Sequence, residues 1–208
     1  MIPRLIHQMW MGGPMPALWA ECREKLVALH PNWNFRLWTE ADLQFRFWHN
    51  QTLIDRAEQI SPMAPYQFIS DVVRYEVLLG FGGVWVDIDF DPQKPLDELC
   101  NGKEAWAAYE DGVWVNNAVM GMAQEHPVMR EAVDRLAGNV GQFRPSVGNT
   151  HKSGPQYLTP LILAHEVHIY PKEYFYPYLW NELDREGELF PDAYMVHRWA
   201  NRRKRIKP

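Results

Sequence analysis

The sequence has few of the residues and segments that define several large classes of protein. Its 208 residues include two cysteines, Cys22 and Cys100, which form no Cys-x-x-Cys pair and have no histidine at ligand spacing. This argues against a disulfide-rich scaffold and a zinc knuckle. No stretch approaches the ~18 apolar residues of a membrane span, and no basic region followed by an apolar run opens the chain. We therefore expect a cytoplasmic protein without a transmembrane segment.

Internal repeats and low-complexity linkers are absent as well. With 47% hydrophobic and 23% charged residues, the composition is that of a globular protein. We expect a single domain over residues 1–208, ending in a basic tail of about residues 200–208. The net charge of −5 excludes a general polyanion binder. The tail is the exception, because it holds five cations and no acid: Arg202, Arg203, Lys204, Arg205 and Lys207.

Patterns typical of strands and helices alternate along the chain. They predict strands over residues 2–10, 33–38, 84–89, 104–109, 117–122, 167–170 and 194–199. They predict helices over residues 16–29, 65–79, 127–136 and 155–165, with Gly80 ending the second of these. This alternation favours an α/β fold with a mostly parallel central sheet flanked by helices. Ligands of such sheets bind beyond the carboxyl ends of the strands.

Two carboxylates stand at the end of the most apolar predicted strand. On an extended strand Asp87 and Asp89 would share one face, with Cα atoms ~7 Å apart. Such a pair would repel a diphosphate, but a divalent cation that binds both carboxylate and phosphate oxygens reverses the sign of the interaction. The pattern therefore predicts a metal–diphosphate site; a solvated strand end is the alternative.

The helix before this strand carries a second pair of charged residues. Asp71 and Arg74 are three residues apart and so lie on one helix face. If they form a surface ion pair, it contributes ~0.2–0.5 kcal/mol. If they face the cleft, they are suited to bind sugar hydroxyls and phosphate. The short return through Gly82 and Gly83 would aim both pairs at one place.

These residues together resemble a known family. The block that carries the resemblance is Ser70-Asp71-Val72-Val73-Arg74-Tyr75, Leu79-Gly80, Gly82-Gly83-Val84-Trp85-Val86-Asp87-Ile88-Asp89 and Pro95-Leu96-Asp97. It is similar to the signature of glycosyltransferase family 32, which carries the DXD sugar-binding motif and includes initiating mannosyltransferases. Weaker matches in the right order are residues 2–10, 116–121 and 153–155.

The resemblance implies a GT-A fold, a nucleotide-diphosphate sugar donor, Mn²⁺ or Mg²⁺, and retention of anomeric configuration. It implies transfer of a hexose, with UDP-sugar favoured over GDP-sugar, to a glycan or another small hydroxyl acceptor. It assigns catalytic roles to Asp71, Arg74 and Asp89, and metal binding to Asp87, Asp89 and His197. The donor-binding residues that it implies are Trp10, Asp71, Arg74, Asp87, Asn117 and Gly154.

Other functions stay open at this point. A two-metal nucleotidyltransferase or nuclease also uses paired acids, although only Asp91 is well placed as a further ligand. A glycosyltransferase acting on modified nucleic acid bases and a non-catalytic nucleotide-sugar-binding module are further alternatives. The basic tail is a solvated terminus, a cover over the donor, or an attractor for a polyanionic acceptor such as nucleic acid.

Overall fold

The computed structural model describes residues 1–45 and 48–200, and a six-stranded sheet runs through its centre. The strands are β1 (Leu5–Met9), β2 (Asn34–Trp38), β3 (Gly83–Val86), β4 (Phe90–Pro92), β5 (Ala105–Tyr109), β6 (Val115–Met122), β7 (His168–Tyr170) and β8 (Met195–His197). The longer helices are α1 (Ala17–Leu29), α5 (Pro65–Phe81), α7 (Pro127–Val140) and α9 (Pro155–Leu163). Short helices lie between them: α2 (Glu40–Leu43), α3 (Gln51–Asp55), α4 (Ala57–Ile60), α6 (Asp97–Cys100) and α8 (Asn149–Lys152).

The six strands are ordered β2-β1-β3-β6-β5-β7. β1 is parallel to both β2 and β3, and β7 is parallel to β5, whereas β6 is antiparallel to β3 and to β5. Five strands therefore run one way and β6 runs against them. This confirms the predicted α/β fold with a mostly parallel central sheet. Because β6 is reversed, its first residues lie at the same sheet edge as the last residues of β3.

Both faces of the sheet are covered, which explains why β3 is buried along its whole length. Side chains alternate across the sheet, so Trp85 packs into the core beneath α5, α7 and α9, while Val84 and Val86 pack into the core on the opposite face. Burial of β3 on both sides leaves its carboxyl end as the place where polar side chains can reach a cleft.

Helix α5 leads directly into β3 through a glycine pair. The helix begins at Pro65, continues through Gly80 and ends at Phe81, so the predicted stop at Gly80 is wrong. Gly82 and Gly83 adopt φ values of 62° and 94°, in the left-handed region that favours glycine. A Cβ atom on Gly83 would lie 2.3 Å from the carbonyl oxygen of Leu5. The two glycines therefore let the chain reverse tightly against β1.

The short helices were not predicted, because segments of four or five residues carry too little periodicity to be distinguished from loops. The basic tail residues Arg202 to Lys207 lie outside the described residues, so the predictions made for them stay predictions. Within the described part of the chain, no helix combines the length and apolar character that crossing a bilayer requires.

His7 on β1 makes the stability of this fold dependent on pH. Its Nε2 atom is 2.9 Å from the carbonyl oxygen of Gly82, and Nδ1 accepts a 3.2 Å hydrogen bond from the indole of Trp38. Burial lowers the pKa of His7 from 6.5 to about 4; the hydrogen bond to Gly82 opposes this shift, and the charge of Arg36 adds to it. The neutral imidazole is therefore the form that the folded chain favours.

We predict that His7 contributes about 3 kcal/mol of stability that is fully present above pH 6.5 and is lost as the pH falls towards 4. The measurement is denaturant unfolding of the wild type and of His7→Gln, whose amide cannot titrate, at pH 7 and pH 4. The difference in unfolding free energy between the two proteins should shrink by about this amount at pH 4. An unchanged difference would contradict the prediction; His168→Gln, at an exposed position, is the matched control.

Candidate active site

The two acids of the DXD motif lie on a turn and not on an extended strand. β3 ends at Val86, and the amide of Phe90 then donates a 3.3 Å hydrogen bond to the carbonyl oxygen of Asp87. The predicted strand over residues 84–89 is therefore too long. The physical reason is that pairing with β6 continues only to the Asp87 amide, which donates to Ala118, after which the chain turns away towards β4.

Pairing of β4 with β8 brings a histidine from the end of the chain to this turn. Phe90 lies opposite His197 in this antiparallel pair. The Nε2 atom of His197 is 3.3 Å from Oδ1 of Asp89, and the amide of Ala200 donates to Oδ2 of Asp89 over 2.8 Å. One ligand atom from each of Asp87, Asp89 and His197 lies within 4.8 Å of the others.

The electrostatics of the Asp89–His197 pair are those of a buried opposite-charge contact. Burial by itself raises the pKa of Asp89, but the neighbouring His197 and the amide of Ala200 reverse this and lower it. Burial likewise lowers the pKa of His197, but the charge of Asp89 and its hydrogen bond raise it above the ordinary value. The pair therefore favours an ionised carboxylate at the centre of the site.

The donor set suits a divalent cation. Carboxylate oxygens are the preferred ligands of Mg²⁺ and Mn²⁺, and an imidazole nitrogen is a common third ligand of transition metals. In addition, Nδ1 of His197 is buried without a hydrogen-bond partner among the described residues. The three residues named for a metal from the sequence are thus brought together, and their chemistry fits one.

Asp71 and Arg74 are buried beneath the turn and are not a surface pair. Their side chains are 4% and 3% exposed, and Arg74 Nη2 lies 3.3 Å from Asp71 and 3.1 Å from Asp87. The remaining nitrogens of Arg74 donate to the carbonyl oxygens of Ser70 and Asn117. The guanidinium thus links the helix α5 to the DXD turn and to β6, and most of its donors are used inside the protein.

Asn117 and Ser153 hold the Asp71 carboxylate from its other side. The amide of Asn117 donates to Oδ1 of Asp71 over 2.9 Å, and the hydroxyl of Ser153 donates to Oδ2 over 2.7 Å. The hydroxyl of Tyr75 donates to the carbonyl oxygen of Ser153 over 2.5 Å. Asp71 is therefore fixed in one orientation by Arg74 on its own helix and by two segments that are far away in sequence.

Most of these side chains line one open cleft at the carboxyl end of β3, as expected from the rule for parallel sheets. The lining residues are Gln67, Asp71, Arg74, Asp87, Asp89, Glu110, Asp111, Trp114, Asn116, Asn117, Ala118, Thr150, Pro155, Trp180, His197 and Trp199.

Two residues predicted to bind the donor are not among those lining residues. Trp10 is half-buried, its indole donates to the carbonyl oxygen of Gly13, and its side chain packs against the cluster formed by Trp19, Cys22 and Ile88. Gly154 precedes α9, and a Cβ atom there would lie 3.0 Å from the Cα atom of Thr150. Both residues border the site, and their roles towards a donor stay predictions.

Asp91 is the further acid that a two-metal site would require. It is 5% exposed, forms an ion pair with Lys25 at 3.1 Å, and accepts a hydrogen bond from Arg198. Both cations neutralise Asp91 inside the protein. Its use in these contacts weakens the two-metal alternative.

Sequence reasoning does not identify Ser153, which donates a hydrogen bond to Asp71, as functional. It also misses several residues that line the cleft, among them Glu110, Trp114 and Trp180. The Ser-Gly-Pro match at 153–155 was a usable signal for Ser153. The other three belong to a hairpin and a late loop whose position over the cleft depends on tertiary packing, so no local pattern marks them.

The chain matches known proteins in sequence and in fold. Residues 16–106 match the family described as the glycosyltransferase sugar-binding region containing DXD motif. The inositol phosphoceramide mannosyltransferase 3 of Schizosaccharomyces pombe is 28% identical over 161 residues, which cover 76% of this chain and 44% of that protein. The mannosyl phosphorylinositol ceramide synthase SUR1 of Saccharomyces cerevisiae is 30% identical over 166 residues, which cover 76% of this chain and 41% of that protein. The chain thus spans less than half the length of these two relatives.

Among solved structures, the PaToxG glycosyltransferase superposes with a TM-score of 0.62 at 17% identity, covering 78% of this chain and 69% of that one. At this identity the likeness shows the fold, and it confirms the predicted GT-A architecture. The family match, the two relatives and the fold all indicate a glycosyltransferase, and the clustering of Asp87, Asp89 and His197 at the DXD turn agrees with this. Residues 16–106 are therefore similar to the sugar-binding region of the DXD-motif glycosyltransferases, and the predicted resemblance to glycosyltransferase family 32 is confirmed.

Proposed function

We propose that this chain is a metal-dependent, retaining hexosyltransferase that moves a sugar from a nucleotide-diphosphate donor to a hydroxyl acceptor. The observation that carries the proposal is the convergence of Asp87, Asp89 and His197 within 4.8 Å at the end of β3. An apolar strand, a buried turn and a distant histidine meet at one point, which favours a built site over a solvated strand end.

In this proposal Asp89 and His197 hold the metal, and Asp87 shares in binding it. A bound Mn²⁺ or Mg²⁺ would neutralise the diphosphate and so favour its departure from the sugar. Arg74 acts through the carboxylates, since it orients Asp71 and Asp87 by ion pairs of 3.3 and 3.1 Å. Asp71, held by Asn117 and Ser153, presents its remaining lone pairs to hydroxyls of the donor sugar.

The proposed step forms a bond between the acceptor oxygen and the anomeric carbon, and it breaks the bond between that carbon and the diphosphate oxygen. The hydroxyl proton goes to the leaving diphosphate, on the face from which the acceptor attacks. Proton transfer to the diphosphate, and not to a protein carboxylate, is supported by the hydrogen bonds that the nearby carboxylates already accept. Asp71 accepts from Asn117 and Ser153, and Asp89 accepts from Ala200, so these groups are engaged within the protein.

The two yeast relatives are named as a mannosyltransferase and a mannosyl-lipid synthase, and mannose is therefore the first sugar that we propose for the donor. The resemblance to family 32 favours UDP over GDP as the nucleotide of the donor. Both nucleotides belong in the donor panel, since Trp10, the residue predicted to lie near the base, does not line the cleft.

The test is incubation of the full chain with Mn²⁺ and a panel of UDP- and GDP-hexoses. Release of free sugar and nucleoside diphosphate without an acceptor, followed by transfer with one, is the expected result. NMR of the anomeric proton of the product should show the configuration of the donor, and an inverted product would refute the retaining assignment. Tight donor binding without turnover would instead support a non-catalytic binding module.

A further inference from the structure

One side of the cleft is formed by the hairpin between β5 and β6 and by the loop that contains Trp180. The proposed donor chemistry does not use this surface. Trp180 is 44% exposed although its ring lines the cleft. Trp114 and Glu110 line the same cleft from the hairpin. Large aromatic faces rarely remain open to water within a polar cleft without a ligand that covers them.

The hairpin holds Trp114 and Glu110 in fixed positions. The carboxylate of Asp111 accepts hydrogen bonds from the amides of Val113 and Trp114, both at 2.9 Å. The amide of Asn116 donates to Oε2 of Glu110 over 2.7 Å, while its own oxygen accepts from Ala118 over 2.8 Å. Glu110 and Trp114 are thus positioned before any ligand arrives, and such preorganisation lowers the cost of binding.

The negative charge near Glu110 and Trp114 disfavours binding of an anion on the hairpin side of the cleft. Within residues 1–45 and 48–200, Arg74 is the single lysine or arginine that lines it, and Arg74 is buried between Asp71 and Asp87. Glu110 and Asp111 add two carboxylates next to Trp114. A phosphate placed here would meet carboxylates without a described cation to pair with.

We propose that Trp180, Trp114 and Glu110 form the acceptor subsite, and that it takes an uncharged sugar. The apolar face of a pyranose ring packs on the indole of Trp180, and Glu110 accepts a hydrogen bond from a ring hydroxyl. The inference rests on the proposed function of the same cleft. It also separates this chain from the two yeast relatives, whose names specify a phosphorylated inositol lipid.

The experiment uses the full chain, Mn²⁺ and the donor found in the panel, with pairs of acceptors that differ in a phosphate. Methyl α-mannoside is compared with methyl α-mannoside 6-phosphate, and myo-inositol with myo-inositol 1-phosphate. We expect transfer to the uncharged member of each pair to be at least tenfold faster. Faster transfer to the phosphorylated members would overturn the inference.

Variants test the residues separately from the donor chemistry. Trp180→Ala should lower the ratio of acceptor transfer to donor hydrolysis at least tenfold, and Trp180→Phe should restore most of it. Glu110→Gln should raise the KM for the acceptor more than it lowers kcat. Phe45→Ala, an exposed aromatic residue on a different surface, is the control and should leave the ratio unchanged.

The two proposals fail in different ways. A wild-type protein that neither hydrolyses nor transfers any donor in the panel refutes the proposed function itself. A wild type that hydrolyses and transfers, together with a Trp180→Ala variant whose ratio equals that of wild type, refutes the acceptor subsite alone.

Discussion

Asp89→Asn is expected to lower kcat/KM for sugar transfer by at least a factor of about 10³, which corresponds to ~4 kcal/mol of transition-state stabilisation. The substitution keeps the shape of the side chain and removes its charge. Asp89 is 7% exposed, which limits replacement of the lost ligand oxygen by water, and the neighbouring carboxylate of Asp87 already belongs to the same proposed metal site. Steady-state kinetics over a range of Mn²⁺ concentrations measure this decrease in kcat/KM.

A second readout shows whether the loss arises at the metal. Mn²⁺ should raise the thermal midpoint of the wild type and have a much smaller effect on Asp89→Asn, because a ligand that binds the native state stabilises it. Asp192→Asn, at an exposed acid, serves as the control. A variant with near-normal activity and an unaltered response to Mn²⁺ would remove Asp89 from the proposed metal site.

Arg74→Met is expected to destabilise the fold by about 3–5 kcal/mol, which is a large share of the stability of a typical domain. The reason is that Asp71 and Asp87 would face each other in the buried site without their shared cation. Burial already raises the pKa of Asp71, and the charge of Arg74 is the largest opposing effect. Removing one partner leaves uncompensated charge, which costs more than the ion pair itself contributes.

Denaturant unfolding at neutral pH measures this loss, and compensating substitutions test its cause. Asp71→Asn combined with Arg74→Met should recover part of the lost stability, since one of the uncompensated carboxylates is then neutral. Arg185→Met removes a partly exposed arginine that pairs with Glu188, and it should cost far less. Equal losses for Arg74→Met and Arg185→Met would mean that burial of the Asp71–Arg74–Asp87 group is energetically unimportant.

The metal-binding residues could be named from the sequence for different reasons. Asp87 and Asp89 follow an apolar run, and a spacing of two directs attention to a shared ligand. His197 was named through the resemblance to family 32, because the pattern around it contains no feature that separates a ligand from a surface histidine. The structure gives it a physical basis: Phe90 pairs with His197 between β4 and β8, a contact between distant residues that depends on the rest of the fold.

Arg74 shows that the position of a residue on a helix does not by itself predict whether its side chain is buried or exposed. Spacing placed Asp71 and Arg74 on one face of α5 and left a surface pair and a cleft pair as alternatives. Which face of α5 is buried depends on the sheet and on β6, whose Asn117 accepts from the guanidinium. Periodicity specifies the faces of a helix, whereas packing decides what each face meets.

By itself, the sequence determined the alternation of strands and helices, the tight return at Gly82 and Gly83, and the chemistry of Asp71, Arg74, Asp87 and Asp89. Each of these follows from neighbours within a few residues, where backbone geometry and side-chain period act directly. Only the tertiary structure decided that Ser153 and Asn117 donate hydrogen bonds to Asp71. It also decided that His197 lies beside Asp89. The same holds for the placement of Trp180 and Glu110 in one cleft. These contacts join segments far apart in the chain, and the free energy that selects them comes from burying both faces of one sheet, a property of the whole fold that no local pattern contains.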